Sequence, residues 1–280
     1  MKPIYSGKVR EIYDVSDRQL VIVATDRISA FDSILPVQIK GKGKVLNQLS
    51  NFWFGKTRDI VPNHIIDDRI EAMPSFFQKE YFSGRSVLAK KLNMLPYEFV
   101  VRGYLFGSMW EAYEKGESFC GVKLREGYRL AQKLEQLVCT PAIKHDRGHD
   151  EYVDMQEIEN KLGCERTKKI VNYCFELYKT CSEYALSRGL IIADAKFEFG
   201  QDENGQLILA DEIFTPDAGR FWDAENYKVG IFPESYDKQF LRDWLLANRV
   251  VGKFQFDKIS QDVLLRTEQL YNVCLIRLIK

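Results

Sequence analysis

The segment Asp194-Ala195-Lys196-Phe197-Glu198-Phe199-Gly200 alternates charged with apolar or small residues. On an extended strand successive side chains face opposite ways, so Asp194, Lys196 and Glu198 share one face while Phe197 and Phe199 enter the core. Downstream, Leu207-Ile208-Leu209-Ala210 runs into Asp211-Glu212. The polar turn Asp202-Glu203-Asn204-Gly205 would fold Asp211 back beside Glu198. Two carboxylates converging near a lysine suit a magnesium–triphosphate site, because magnesium takes few protein carboxylates and fills its octahedron with water and phosphate oxygens. Lys196 would offset charge developing on a transferring phosphoryl group. A solvated strand face with cross-strand ion pairs would use the same residues. Beyond the turn Thr215-Pro216-Asp217 stands Arg220, whose planar guanidinium can grip a phosphate in a forked geometry.

Two further stretches offer anion contacts. In Tyr5-Ser6-Gly7-Lys8-Val9-Arg10 a glycine lets backbone N–H groups approach phosphates, with Lys8 and Arg10 on one face of the strand that follows. It is not a Walker A loop. The nearest match, Phe54-Gly55-Lys56-Thr57, has Ser50 in place of the first glycine and reads as a helix end; Gly-x-Gly-x-x-Gly is absent. In the run from Glu98 to Ser108, a buried strand would deliver Arg102 to a loop closed by Gly107-Ser108 ahead of a helix. Ser108 and the helix N-terminus would hold an anion that Arg102 neutralises; an arginine paired with a structural carboxylate is the alternative. His145 and His149 lie four apart, but Gly148 and the surrounding charges argue for a loop, where helical spacing has no meaning. That loop would contribute Lys144 and Asp150 to a ligand rather than bind zinc. His64 is isolated.

These residues need elements to position them. Alternation or apolar runs predict strands over 9–15 and 20–24, then over 86–92 and 98–101 with a break at Pro96, and over 190–193 and 207–210. Gly41-Lys42-Gly43 marks a turn before a helix over 44–57, with Val45, Leu49, Phe52 and Trp53 roughly on one face. Further helices are expected over 109–115, over 164–188 with Gly189 as the cap, and over 237–248 and 257–278. The 280 residues, 45% of them hydrophobic, suffice for two intimately joined lobes. Forty basic against 40 acidic residues lack the basic excess of a nucleic-acid binder. None of the six cysteines forms a Cys-x-x-Cys pair. With no apolar run of signal-peptide or membrane-spanning length, a cytoplasmic protein without membrane partners is expected.

Taken together these segments resemble the SAICAR synthetase (phosphoribosylaminoimidazole-succinocarboxamide synthase) family. The resemblance rests on residues 191–200, on 95–102 with Gly107-Ser108, and on Gly7-Lys8-Val9-Arg10. Thr25-Asp26-Arg27-Ile28-Ser29-Ala30-Phe31-Asp32, Gly148-His149-Asp150-Glu151, residues 211–217 with Arg220-Phe221-Trp222, and the tail 235–245 also fit. It implies an α+β fold of two lobes. Residues 1–97 would form an antiparallel β-rich ATP-binding lobe like a kinase small lobe, and 98–280 a larger α/β lobe for substrates and magnesium, with ATP between them. The implied reaction has ATP phosphorylate the carboxylate of carboxyaminoimidazole ribonucleotide, after which the amine of L-aspartate displaces phosphate.

Roles carry over by position. Gly7, Lys8, Val9 and Arg10 match the loop at the ATP phosphates, and Met94 and Glu98 the adenine pocket. Glu198 and Asp211 match magnesium ligands; Lys196 and Asp194 match residues near the reacting groups. Arg102, Ser108 and Arg220 match the ribonucleotide site, and Lys144 and Asp150 a loop closing over the substrates. Three positions depart from the pattern: Phe106 for a small residue, Ala218-Gly219 where a serine is usual, and Ile143 for threonine. A paralogous ligase with another acid or amine, or a small-molecule kinase, would share the ATP–magnesium set, although the kinase His-Arg-Asp and Asp-Phe-Gly motifs are missing.

Overall fold

The computed structural model describes residues 1–31, 33–145, 150–248 and 256–280. Asp32 and Asp146-Arg147-Gly148-His149, with the second expected loop histidine, lie outside the described residues. In chain order the first half contains β1 (Tyr5–Ser6), β2 (Arg10–Ser16), β3 (Gln19–Ala24), β4 (Arg27–Ala30), β5 (Ser33–Gln38), α1 (Lys42–Lys56), β6 (Ile65–Asp67), β7 (Ser86–Lys90), β8 (Asn93–Tyr104), α2 (Ser108–Glu114) and β9 (Lys133–Ile143). The second half contains β10 (Glu151–Tyr152), α3 (Met155–Leu162), α4 (Cys164–Ser187), β11 (Leu190–Gln201), β12 (Leu207–Ala210), β13 (Gly219–Asp223), α5 (Gln239–Ala247) and α6 (Gln261–Ile279).

Two antiparallel sheets define a two-lobed α+β fold. The smaller has the order β1-β2-β3-β7-β6 and buries Tyr13, Val21, Val23 and Leu88 against Met73, Phe77 and Phe82. The larger has the order β10-β9-β8-β11-β12, with β13 also paired to β11. Helix α4 covers one face of the larger sheet. Ile170, Cys174, Leu177, Cys181 and Ala185 recur at helical spacing and join the core formed with Phe99, Phe197 and Phe199. Each large apolar side chain so buried contributes about 1.5–3 kcal/mol. Gly189 (φ 75°) follows α4 as expected. Helix α1 joins this same core through Val45, Leu49 and Trp53, although it belongs to the first hundred residues. The β4–β5 hairpin packs Ile28 and Leu35 on Leu241 and Leu245 of α5 and Val263 of α6.

One expectation fails at Pro96: β8 runs unbroken through it. Met94 pairs with Gly200 and Glu98 with Glu198, so β8 carries extra residues between these pairs. The proline sits in that bulge, where its missing N–H breaks no ladder bond, and its carbonyl accepts a 3.0 Å bond from the Lys144 N–H. The switch from the small to the large sheet falls at Asn93, so the division expected at residue 97 lies inside β8.

The central strand β11 changes partner along one edge. β13 pairs with its first half, from Leu190 to Ala195, and β12 with its second half, from Glu198 to Gln201. Residues 211–218 cross the strand at that changeover, where the Lys196 N–H bonds the Ala218 carbonyl at 2.8 Å.

Candidate active site

A cleft of about 1740 Å³ lies between the two sheets. Its upper wall is apolar, from Ile12, Leu20, Ile22, Leu92 and Met94, and its floor carries Lys196, Glu198 and Asp211. The alternation of β11 does what its sequence suggests: Phe197 and Phe199 are fully buried while Lys196 and Glu198 line the cleft. Lys196 Nζ binds Glu198 and lies 3.6 Å from both Glu98 and Asp211. Lys144 also binds Glu198. Burial opposes the charge on Lys196, but Glu198, Glu98 and Asp211 hold it firmly protonated. Burial, aided by Asp150 and Glu198, raises the Glu98 carboxyl against the pull of Lys196 and Lys144.

Asp211 reaches the floor through a left-handed backbone conformation (φ 61°), uncommon for a residue with a side chain and characteristic of functional turns. Its burial works against ionisation, yet Arg10, Lys196 and Lys144 pull its pKa far down. Arg10 bridges Asp211 and Glu212, the latter at 2.7 Å. Lys8 lines the cleft but lies in the turn before β2, not on its face beside Arg10. The Gly7 N–H is engaged within that turn, bonding the Arg10 carbonyl at 2.8 Å. Gly7 and Val9 still form part of the cleft wall.

Toward the other end Arg220 forms an ion pair with Asp194, its strand partner. Its guanidinium stacks 5.4 Å above the Phe106 ring, and it passes Gly107 (φ 60°) where an added Cβ would lie 2.6 Å from Nη2. Ser108 lines the cleft, 3.4 Å from the Tyr152 hydroxyl. Asp194 and Arg102 do not reach the cleft surface: burial leaves each about 6% or less exposed and pairs it internally. Arg102 donates to Thr140 at 3.0 Å and approaches Asp194 at 3.8 Å. Lys144, His145 and Asp150 do line the cleft, with His145 3.4 Å from Glu151. The three departures have packing reasons or neutral places. Phe106 packs on Trp222 and Phe232. A Cβ at Gly219 would lie 2.5 Å from the Asp194 carbonyl oxygen. Ile143 pairs with Tyr97 and Glu151.

Sequence reasoning missed several contributors. Lys42, wholly buried on α1, binds Asp217 at 2.6 Å, and Tyr271 of α6 donates to the same carboxylate at 2.7 Å. Arg27 donates to the Gly7 and Arg10 carbonyls at 3.1 and 3.2 Å, bracing the glycine turn. His64, isolated in sequence, lines the cleft with neither ring nitrogen hydrogen-bonded. These roles depend on pairs tens to hundreds of residues apart, for which local spacing holds no signal. Among the described residues no group of three or more metal-ligating side chains converges. Glu198 and Asp211, hard oxygen donors on the cleft floor, fit a magnesium ion that keeps most of its ligands from water and phosphate.

Comparison with known proteins completes the assignment. The SAICAR synthetase family profile matches residues 3–258. A phosphoribosylaminoimidazole-succinocarboxamide synthase of Lachnospira eligens is 50% identical over 88% of this chain and 85% of its own. That of Cupriavidus metallidurans is 47% identical over 97% and 92%. Among solved structures, SAICAR-synthase from Saccharomyces cerevisiae complexed with SAICAR superimposes with a TM-score of 0.88 at 38% identity, covering 99% of this chain and 94% of that one. A type-2 SAICAR synthetase in complex with ADP gives 0.73 at 25% identity, covering 98% and 97%. Fold, cleft and relatives define an ATP-dependent ligase acting on small molecules. The chain belongs to the SAICAR synthetase family.

Proposed function

We propose that this enzyme joins L-aspartate to the carboxylate of carboxyaminoimidazole ribonucleotide, giving SAICAR, ADP and phosphate. The observation carrying this reading is the single cleft in which Lys196, Glu198 and Asp211 face an apolar slot at one end and Arg220 with Ser108 at the other. The names of the relatives, and the SAICAR and ADP in two structures similar to this chain, support it.

ATP would lie with its base in the slot near Met94 and Glu98 and its phosphates toward Gly7, Lys8, Val9 and Arg10. The ribonucleotide phosphate would meet Arg220 and Ser108. Arg102 and Asp194, lying behind them, would aim Arg220 rather than touch substrate. A carboxylate oxygen attacks the γ-phosphorus and ADP leaves. The amine nitrogen then attacks the acyl carbon, and the tetrahedral adduct collapses by breaking the C–O bond to phosphate, which leaves carrying the proton that the nitrogen sheds. Lys196 offsets the charge building on the transferring phosphoryl group. Lys144, already on Glu198, and Asp150 would close the site against water. Magnesium, held by Glu198 and Asp211, would supply Lewis-acid charge at the phosphoryl oxygens.

The test is ADP release by the purified protein with Mg-ATP and the ribonucleotide, with and without L-aspartate, while SAICAR is followed. Turnover requiring all three substrates, and abolished in Asp211→Asn, is expected. Binding of Mg-ATP without aspartate-dependent turnover would overturn the assignment.

A further inference from the structure

His64 lines the cleft and has no task in the ligase chemistry. It is 2% exposed, and among the described residues no group bonds either of its ring nitrogens. An unpaired buried polar atom is costly, and a ring with two of them on a cleft wall implies a partner gained in another state of the site. The ring is firmly held. Its backbone N–H bonds the Leu209 carbonyl at 3.1 Å, and its own carbonyl accepts from the Lys90 N–H at 2.8 Å. The ring centre lies 5.1 Å from that of Phe54, edge to face. His64 therefore stands at the seam where the smaller sheet, through β7, meets β12 of the larger one.

Two residues past Leu209 the same stretch turns through Asp211, with its left-handed backbone (φ 61°). Burial lowers the pKa of the His64 ring; Asp211 opposes that and Arg10 adds to it, so both charged groups lie near the ring. Kept neutral, the imidazole offers one N–H donor and one acceptor nitrogen. Arg10 holds Asp211 at Oδ1, while Lys196 lies 3.6 Å from Oδ2. A carboxylate oxygen that takes a magnesium ion cannot keep a guanidinium as well, because the two cations repel. Arg10 must then turn to the phosphates, and Asp211 loses its donor. A neutral N–H can replace it without setting a second positive charge against the metal, as ligating carboxylates require of their outer partners.

We propose that His64 is a positioning residue for the metal carboxylate: its ring N–H takes up Asp211 as Arg10 passes to the phosphates, fixing that carboxylate for magnesium. The inference rests on the reading of Asp211 as a magnesium ligand. It gives Arg10 two partners in turn, and it makes the seam between the sheets part of the metal site. A ring that only filled space would serve equally well as phenylalanine.

The experiment uses manganese in place of magnesium, with free manganese read by electron paramagnetic resonance and protein in excess over ADP. Asp211→Asn comes first. Unchanged manganese affinity there would overturn the metal reading, and this inference with it. Given a loss in that variant, His64→Phe is expected to weaken manganese binding to the ADP complex by about 10- to 100-fold, while ADP binding without metal stays within about twofold. His64→Gln, which keeps a donor, should recover most of the loss. Unchanged manganese affinity in His64→Phe would overturn the proposal while leaving Asp211 a ligand, and so would equal losses in the phenylalanine and glutamine variants. A measurement on the unaltered protein guards against misfolded variants: nitrogen NMR of the three histidine rings, with His64 identified by its absence from His64→Gln. Mg-ADP is expected to slow exchange of the His64 ring proton and to move its signal downfield. A His64 signal indifferent to Mg-ADP would overturn the proposal.

Discussion

Arg220 owes its position to what lies beneath and behind it. The Phe106 ring, only 4% exposed, supports the guanidinium on one side and packs edge-on against Trp222 at 5.2 Å on the other. The bulky residue that departs from the family preference is thus a platform. Phe106→Ala should cost about 3–5 kcal/mol in urea unfolding and raise KM for the ribonucleotide more than for ATP; unchanged stability would show that the ring is not packed as described. His64 makes a different prediction. Burial lowers its pKa from 6.5 to about 4, so the folded state favours the neutral ring. Its contribution to stability is complete above pH 6.5 and is lost as pH falls toward 4, amounting to about 3 kcal/mol. Melting His64→Phe beside the parent at about pH 7 and pH 4.5 should show a shallower acid loss in the variant.

Among the elements, β11 was legible in sequence because its period of two and its phenylalanines leave one assignment of faces. The β11–β12 hairpin was legible from its turn residues, and with it the meeting of Asp211 and Glu198. Pro96 misled because a proline breaks a regular ladder but not a bulge, and a bulge depends on the partner strand. The burial of Asp194 was hidden for a similar reason: β13, which pairs it with Arg220, has no strong strand pattern of its own. Helix α1 was visible, but not the use of its first residue. Lys42 precedes the apolar face and reads as a turn lysine, while its partner lies 175 positions away. Lys42→Met should cost about 3–5 kcal/mol by leaving Asp217 buried without its cation. The double variant with Asp217→Asn should lose less than the sum of the single changes, and strict additivity in a denaturation cycle would argue against the pair.

For the whole molecule, the balance of 40 basic and 40 acidic residues recurs among the side chains that line the cleft. Both sheets contribute walls to one cleft, and α1 and α6 brace its floor through Asp217. A nucleotide binding there would tie the two sheets together. Mg-ADP at about one hundred times its Kd should therefore raise Tm by about 5 °C, and Asp211→Asn should show little of that gain with magnesium present. An equal shift in parent and variant would separate nucleotide binding from this carboxylate. The partner change along β11 has a last consequence, for how the fold can diverge. Inserting or deleting one residue between Asp194 and Glu198 would turn part of the charged row inward and bring phenylalanines to the cleft. It would also shift the strand past β13 or β12. This strand works like a reading frame: it accepts one residue exchanged for another, whereas changes of length must fall in peripheral turns such as 202–206, outside the frame.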